Sequence, residues 1–583
     1  MKRALSLGAA ALWLLAACAA PPPTAEVRKQ RQEAWQLHTE PVTLTMTSQI
    51  TEDKQEGYHP PAWGEDAVSR QIMDLTGVKL DIRHQGYGTA VDVEALIAAG
   101  EITDLICTFS ARTAAFLEDE SLCRPLDELA EAYCPEFFDG VDELQRLNNQ
   151  APDGHIYTLR NGSYTQAVYA DPRIPVAPPW TLNLNRLILG GQALPASVEE
   201  LEALLYRAGQ QEGVVPLVLL DAAESPIPGW MGVHRDLYWD PERRTVRTPF
   251  TDEGWLDYAK LLNRWYRQGL VAMPGEEELA LDPYGGPETW LEQTLPQTLA
   301  FAAPQRYAYQ GSLYRGTARE DDPWPWAILT QPLTHQGQVR LIAADNRAGW
   351  GYDPVGFTAG ARGMAYTSSA LFITQACAHP DRALYLMEFL KDGQGAQLTH
   401  WGVEGLHYTR DEEGLIAYLA PYRTDPGYDF DAGLIFNTVD DNDGLQYWRF
   451  VGNDWAGGLL DGSPEGYVAN PTLLAMRPQQ IEAGLAYKKA MESHKCAALH
   501  FAHPTWGTGG YQALEAIAEG WREGFRSLVV ESRDEGEVEA GWRALQQQLA
   551  RLGLPAVEQG MTARLADALP RYHEAGYYQE IQP

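Results

Sequence analysis

Cysteine is scarce in this 583-residue chain, with six in all, and none of them forms a CxxC pair or a zinc-type spacing with histidine. That excludes a disulfide-framed scaffold and a zinc-bound module. A bridge between Cys123 and Cys134 stays open on sequence grounds in an exported protein. Cys107, inside Leu105-Ile106-Cys107, reads as a buried thiol. Basic residues are also in deficit: 45 Lys and Arg against 79 Asp and Glu leave a net charge of −34. Such a surface repels nucleic acid and anionic lipid, and it disfavours anionic ligands unless a local basic pocket intervenes. Beyond residue 17 no apolar run approaches membrane-spanning length, so the body is expected to be soluble. No nucleophile elbow, HExxH or Gly-rich phosphate loop occurs. Asp440-Asp441-Asn442-Asp443-Gly444 fails as an EF-hand. Aligning Gly444 with the loop glycine puts Val439 at the first ligand position and Phe450 at the bidentate one. It reads as an Asx-rich turn. No cofactor, metal site or catalytic residue is expected.

The N-terminus carries the most constraining feature. Lys2 and Arg3 precede an apolar run from Ala4 to Ala17, which is too short to cross a bilayer and so reads as a signal peptide. It ends Leu15-Ala16-Ala17-Cys18, which looks like a lipobox. Cys18 is then expected to receive a diacylglycerol and become the mature N-terminus, leaving the protein outside the cytoplasm on the cell membrane. Given the negative charge, the lipid must supply the membrane affinity. Pro21-Pro22-Pro23 and the charged, Gln-rich stretch to Gln36 read as a stalk.

Aromatic residues are abundant. Eighteen Trp and 28 Tyr exceed what a core of this size needs, and many stand in loop-like contexts such as Pro228-Gly229-Trp230 and Trp324-Pro325-Trp326. Aromatic faces among Asp, Glu, Asn and Gln suit a neutral polyhydroxylated ligand, whose C–H face stacks on indole while its hydroxyls meet amides and carboxylates.

Along the chain the pattern is strand (42–46), helix (66–75, stopped by Gly77), strand (78–82), helix (91–99, stopped by Gly100) and strand (104–109). This βαβ order predicts a parallel sheet, in which ligands bind beyond the carboxyl ends of the strands. Those ends are marked by Ser48, Gln49 and Asp53 after the first strand, and by Thr108, Ser110 and Arg112 after the third. A Pro-rich extended stretch, 169–182, reads as a crossing to a second lobe. There the pattern predicts a helix capped by Ser197, a strand over 214–220, a helix from Phe250 to Gln268, and strands at 299–302 and 327–330. The Gly-rich stretch 347–363 reads as a return hinge.

Several segments jointly resemble a known family. They are Thr76-Gly77-Val78-Lys79-Leu80, Ile97-Ala98-Ala99-Gly100-Glu101, Asp153-Gly154-His155-Ile156-Tyr157, the Phe250–Leu270 helix, and the block His379-Pro380-Asp381-Arg382-Ala383 through His400-Trp401-Gly402 to Tyr408. In order and spacing they look like the extracellular solute-binding lipoproteins of carbohydrate ABC importers, in the long oligosaccharide-type branch related to maltose-binding protein. The resemblance runs over nearly all of 40–575. It implies a two-lobe α/β fold of type II with a hinge and an inter-lobe cleft, closure on an oligosaccharide, delivery to ABC permease subunits, and a monomer. The implied division is a signal peptide (1–17), a lipidated N-terminus and stalk (18–39), lobe one (40–168), lobe two (169–346), a return to lobe one (347–410), and a C-terminal part mainly in lobe two (411–583). Trp180, Trp230, Trp239 and Trp350 are the expected stacking platforms, with Gln49, Asp53, Ser110 and Arg112 as polar partners. The loop Cys107-Thr108-Phe109-Ser110 departs from the family pattern.

Two other functions stand beside this one. A lipid-anchored glycoside hydrolase needs a carboxylate pair across the scissile bond, but among 79 acidic residues some pair always qualifies. A passive glycan-tethering lipoprotein is expected to be built of helical repeats, and the chain shows no repeating period.

Overall fold

The computed structural model describes residues 33–49, 63–85, 91–159, 182–219, 225–273, 299–304, 326–337, 370–410, 416–418 and 497–583, apart from short interruptions within them. These form two four-stranded sheets, each with its own hydrophobic core.

The first sheet is built on β1 (Val42–Ser48), flanked in parallel by β2 (Val78–Gln85) and β3 (Leu105–Thr108). The connection between β1 and β2 shows why. The helix Ala67–Thr76 starts where the Asp66 carboxylate accepts the Ser69 N–H at 2.7 Å, a cap worth about 1 kcal/mol. It stops at Gly77, whose φ of +70° and a would-be Cβ only 2.1 Å from the Thr39 carbonyl oxygen admit no side chain. Val78 then opens β2 directly opposite Val42. Between β1 and β3 the Asp104 carboxylate accepts from Thr45 N–H (2.7 Å) and from the Thr45 hydroxyl (2.6 Å), which holds the strands in register. A fourth strand, Ala370–Ile373, joins antiparallel to β3 after a long excursion of the chain. The helix that follows it, Pro380–Lys391, is buried over most of its length. Its Arg382 donates to the carbonyls of Glu40 (2.6 Å) and Thr76 (2.8 Å), the latter at the end of the 67–76 helix.

The second sheet contains β4 (Leu182–Asn185), β5 (Val214–Leu217), β8 (Leu299–Pro304) and β9 (Trp326–Ile328), in the order β5-β8-β4-β9. Between β5 and β8 in the chain lies a hairpin, β6 (Tyr238–Asp240) and β7 (Thr245–Arg247). β5 runs parallel to β8, and β4 is antiparallel to both its neighbours. The helix Val198–Ala208 is capped as expected, with Ser197 Oγ accepting the Glu200 N–H at 3.1 Å. The core here is aromatic: Trp230, Trp255, Trp265 and Trp521 are fully buried. Trp255 and Trp521 meet edge to face at 4.9 Å between ring centroids. Trp521 belongs to the first of three C-terminal helices, Gly509–Glu531, Glu535–Arg551 and Leu554–Glu574, whose apolar residues join this second core. The last helix also reaches back. Tyr572 donates to Asn148 Oδ1 (2.8 Å) and Arg571 to the Gln150 carbonyl (2.9 Å).

One question the sequence left open is answered, and one expectation is corrected. Cys123 and Cys134 are free, each lying in a different apolar cluster. Cys134 ends the Leu126–Tyr133 helix and faces the main core, while Cys123 pairs with Thr374 at the sheet margin. The stalk does not extend to residue 39. Ala34–Leu37 is a helical turn docked on the Pro380–Lys391 helix, with Trp35 edge-on to Phe389 at 4.8 Å and its N–H bonded to Glu388 at 3.1 Å. An indole gains more by burial than by joining a hydrated tether. Cys18, the 347–363 hinge and the 440–444 turn lie outside the described residues.

Candidate functional site

The carboxyl ends of parallel strands gather loops and backbone N–H groups, and ligands bind in α/β sheets at this edge. In the first sheet the edge is marked by Gln49, Gln85 and Thr108. Gln49 is almost wholly buried. Its N–H donates to the Cys107 carbonyl (2.9 Å), its Nε2 donates to the Val91 carbonyl (2.6 Å), and its Oε1 accepts the Thr108 hydroxyl (2.5 Å). One side chain thereby ties the turn after β1 to the end of β3 and to the start of the segment leading into the Val93–Ala98 helix. Both polar atoms of the amide are engaged, so Gln49 acts here as a brace. Asp53 and Ser110 lie outside the described residues. Arg112 falls in the Ala111–Leu117 helix, but its side chain is outside them.

In the second sheet the corresponding edge lies at the ends of β5 and β8. One residue beyond β5, the Val218 N–H bonds to the Ala302 carbonyl at 3.1 Å, and Val218 pairs in parallel with Ala272. The chain then forms the short helix Ile227–Trp230. Here Trp230 departs from the loop setting expected of it: its indole is packed among the apolar side chains of the second core. The Pro228-Gly229 context had marked it as a loop residue, but the turn folds inward onto apolar neighbours. Trp239 stands on β6 opposite Val246, half-buried against the same core. Trp180 and Trp350 lie outside the described residues.

Beside Trp239 is an aromatic pair that sequence reasoning missed. The rings of His234 and Tyr238 stack with centroids 3.7 Å apart and planes 14° off parallel. Asp252 holds the imidazole, accepting from His234 N–H (2.9 Å) and contacting Nδ1 (2.6 Å), and it also accepts the Gly254 N–H (2.8 Å). Burial works to raise the Asp252 carboxyl, but these hydrogen bonds outweigh it and hold the group below its usual range. Burial, with the charge of Asp252, pushes the Tyr238 phenol up to about 12. Asp252 is thus ionised and occupied with turn and ring geometry, and the Tyr238 phenol stays protonated at neutral pH. The eighteen-residue separation of His234 and Asp252 gives no local signal of this.

Several motifs that stood out in the sequence are scaffold. In Asp153-Gly154-His155-Ile156-Tyr157, Asp153 accepts the His155 N–H (2.9 Å) and the Tyr157 hydroxyl (2.6 Å), around a Gly154 with φ of +96°. Asp127 accepts the Ile156 N–H at 3.0 Å and meets His155 Nδ1 at 2.8 Å; that hydrogen bond raises the His155 pKa. In the 379–408 block, a Cβ on Gly395 would fall 1.9 Å from the Phe389 carbonyl oxygen. His407 Nδ1 accepts the Val403 N–H at 2.7 Å, between Gly402 and Gly405, both at positive φ.

One cluster has metal-like composition: Cys134, Glu136 and Glu388 have donor atoms within 4.8 Å of one another. It does not fit a cation. Burial is the main force raising both the Cys134 thiol and the Glu388 carboxyl, which favours their protonated forms. Glu388 is already engaged by the Trp35 N–H. A groove of about 530 Å³ lies between β7 and the last helix. Its cations are committed, Arg247 to Glu558 at 3.3 Å and Arg244 to the carbonyls of Gln582 and Pro583.

The chain matches no family model and no curated protein sequence. Solved structures do match its fold. The alginate-binding protein AlgQ2 is 16% identical, with 92% of this chain and 100% of that chain covered, at a TM-score of 0.56. An HMO-binding, ABC-transporter-associated solute-binding protein from Bifidobacterium longum infantis is 15% identical over 91% of this chain and 99% of its own, at 0.59. The S. pneumoniae ABC-transporter substrate-binding protein FusA, in complex with kestose, is 12% identical over 92% and 100%, at 0.57. The chain therefore has the two-lobe α/β fold of periplasmic-binding-type proteins, as expected.

Proposed function

We propose that this protein is an extracellular receptor that binds an oligosaccharide between its two lobes and passes it to an ABC importer permease. One observation carries the reading: likeness of fold over more than nine-tenths of the chain to an alginate-binding protein, an HMO-binding solute-binding protein associated with an ABC transporter, and an ABC-transporter substrate-binding protein in complex with kestose. The sequence adds the export signal and the lipobox at Cys18, which keep the receptor at the membrane as a monomer beside its permease. The mechanism is a population shift. A ligand touching both sheet edges binds the closed state better than the open one, and its binding energy drives closure. No bond is made or broken. The proposed lobes are 40–168 for lobe one and 169–346 for lobe two, with a return to lobe one over 347–410 and a C-terminal part, 411–583, mainly in lobe two. Within the cleft, Trp180, Trp239 and Trp350 are the proposed stacking faces, joined by the His234–Tyr238 pair, with Asp53, Ser110 and Arg112 as polar partners. Trp230 and Gln49 support the site from within.

The test is a thermal-shift screen of neutral oligosaccharides, followed by solution scattering and product analysis on the responders. A raised midpoint with compaction and no turnover supports the receptor. Turnover would replace it with a hydrolase, and binding without compaction with a passive tether.

A further inference from the structure

The strand β4 reads Leu182-Asn183-Leu184-Asn185 and is buried at all four positions. Leu182 and Leu184 point into the second core. By alternation Asn183 and Asn185 share the opposite face. Asn185 has a local reason to be polar, since its Oδ1 accepts the N–H groups of Leu187 (3.0 Å) and Ile188 (3.3 Å) and caps the next helical turn. Its Nδ2, however, is buried without a partner among the described residues. Asn183 has no such reason. It is 0% exposed, and among the described residues neither Oδ1 nor Nδ2 has a hydrogen-bond partner. Other buried groups lack one partner, but Asn183 is the one described residue in which both side-chain polar atoms do. Leaving a buried donor and a buried acceptor unmet costs about 1–3 kcal/mol apiece. An apolar residue would remove that cost at no loss of β-propensity.

Its position explains what the cost retains. Asn183 stands directly opposite Ala303 on β8 and Ile328 on β9. Ala303 is one step past the Leu217–Ala302 pair, level with Val218 and hence with Ala272. Asn183 is therefore one row inside the Leu182–Pro304 pair that ends the sheet, near the carboxyl ends of β5, β8 and β9, where ligands bind in such sheets. Every other residue of that row is Ala, Val or Ile. A primary amide offers an acceptor and a donor side by side and carries no charge. That fits two adjacent hydroxyls of a neutral ring, one donating and one accepting, better than it fits a carboxylate or an ammonium group.

We propose that Asn183 is the specificity-determining amide of the second lobe, which reads a vicinal diol of a neutral sugar unit at the carboxyl edge of the second sheet. This rests on the receptor function proposed above.

The experiment compares the full chain with Asn183→Leu and Asn183→Ala. Each is screened by thermal shift against neutral tri- and tetrasaccharides, uronate oligosaccharides of the same length, and short peptides. The best wild-type responder is then titrated calorimetrically. In the absence of ligand, Asn183→Leu should melt at or above the wild-type midpoint, because an unmet amide has been replaced by an isosteric apolar group. Its affinity for the neutral saccharide should fall at least tenfold, and Asn183→Ala should lose as much. Leucine and alanine variants that bind within twofold of wild type overturn the assignment. So does a lowered unliganded midpoint for Asn183→Leu, which would mean that the amide is satisfied within the fold. A wild type that prefers uronates or peptides overturns the neutral-diol chemistry. A wild type that responds to nothing removes the receptor function itself, and that outcome is visible before any variant is examined.

Discussion

Two carboxamides stand at the carboxyl edges of the two sheets, and their circumstances are opposite. Gln49 bonds through its backbone N–H, its Nε2 and its Oε1 to three separate points of the first sheet's edge. Asn183 is buried as deeply at the edge of the second sheet, with neither side-chain atom paired. One amide is spent on holding loops in place, and the other is held in reserve. The surrounding cores differ in the same sense. The first is fastened by side chains reaching backbone carbonyls, as Arg382 does at Glu40 and Thr76. The second is fastened by stacked aromatic rings, from Trp255 through Trp521 to Phe525. Under the receptor function proposed above, this contrast assigns ligand discrimination to the second lobe.

The contrast can be broken most forcefully in the aromatic core. Trp521→Ala removes a fully buried indole and should lower the unfolding free energy by about 3–5 kcal/mol. Near-wild-type denaturation would mean that the C-terminal helices do not stabilise the second lobe. A pH dependence comes next. His503 is partly buried, and its desolvation, aided by the charge of Arg564, pulls its pKa down to about 4. Above pH 6.5 both folded and unfolded forms are neutral there and the group is silent. As pH falls toward 4 the unfolded chain takes up a proton that the folded one refuses, so stability declines by up to about 3 kcal/mol. His503→Phe should flatten that acid arm between pH 6.5 and 4, and an unchanged stability–pH curve would refute the assignment. At the first edge, Gln49→Ala strands the Val91 carbonyl and the Thr108 hydroxyl and should cost about 1–3 kcal/mol. If it weakens saccharide binding without loss of stability, Gln49 is a ligand contact and the contrast with Asn183 collapses. The smallest effect is expected at Lys260 and Glu539, 2.6 Å apart and partly exposed. A double-mutant cycle there should return about 0.2–1 kcal/mol, falling with salt.

Much of the fold was legible because its signals are local. Asp66, Gly77, Ser197 and Gly154 each act within three or four residues of themselves, and each performs the capping or turning role that its type implies. The family-like blocks at 153–157 and 379–408 were legible for the same reason, and the described parts of them serve turns and packing rather than binding. The site was much less so. Trp230 carried the sequence signature of a loop indole, but the chain turns it inward, and nothing in Pro228-Gly229-Trp230 distinguishes the two outcomes. His234 and Asp252 meet across a hairpin that local periodicity does not register. Asn183 follows the stretch read as an extended crossing, and the strand over Leu182–Asn185 and its burial emerged only from the structure.

The alternation of apolar and polar residues, the glycine stops and the caps are enough to determine the parallel βαβ opening and several helices and strands of the second lobe, because backbone sterics and hydrogen-bond closure act over a few residues. The net negative charge likewise follows from composition alone. What only the tertiary structure decided is which face each side chain presents. That depends on strand register and on helices supplied from hundreds of residues away, such as 380–391 for the first core and 509–574 for the second. Burial and unmet hydrogen bonds are properties of those assembled neighbours, so the difference between a bracing amide and a reading amide exists only once the two sheets are complete.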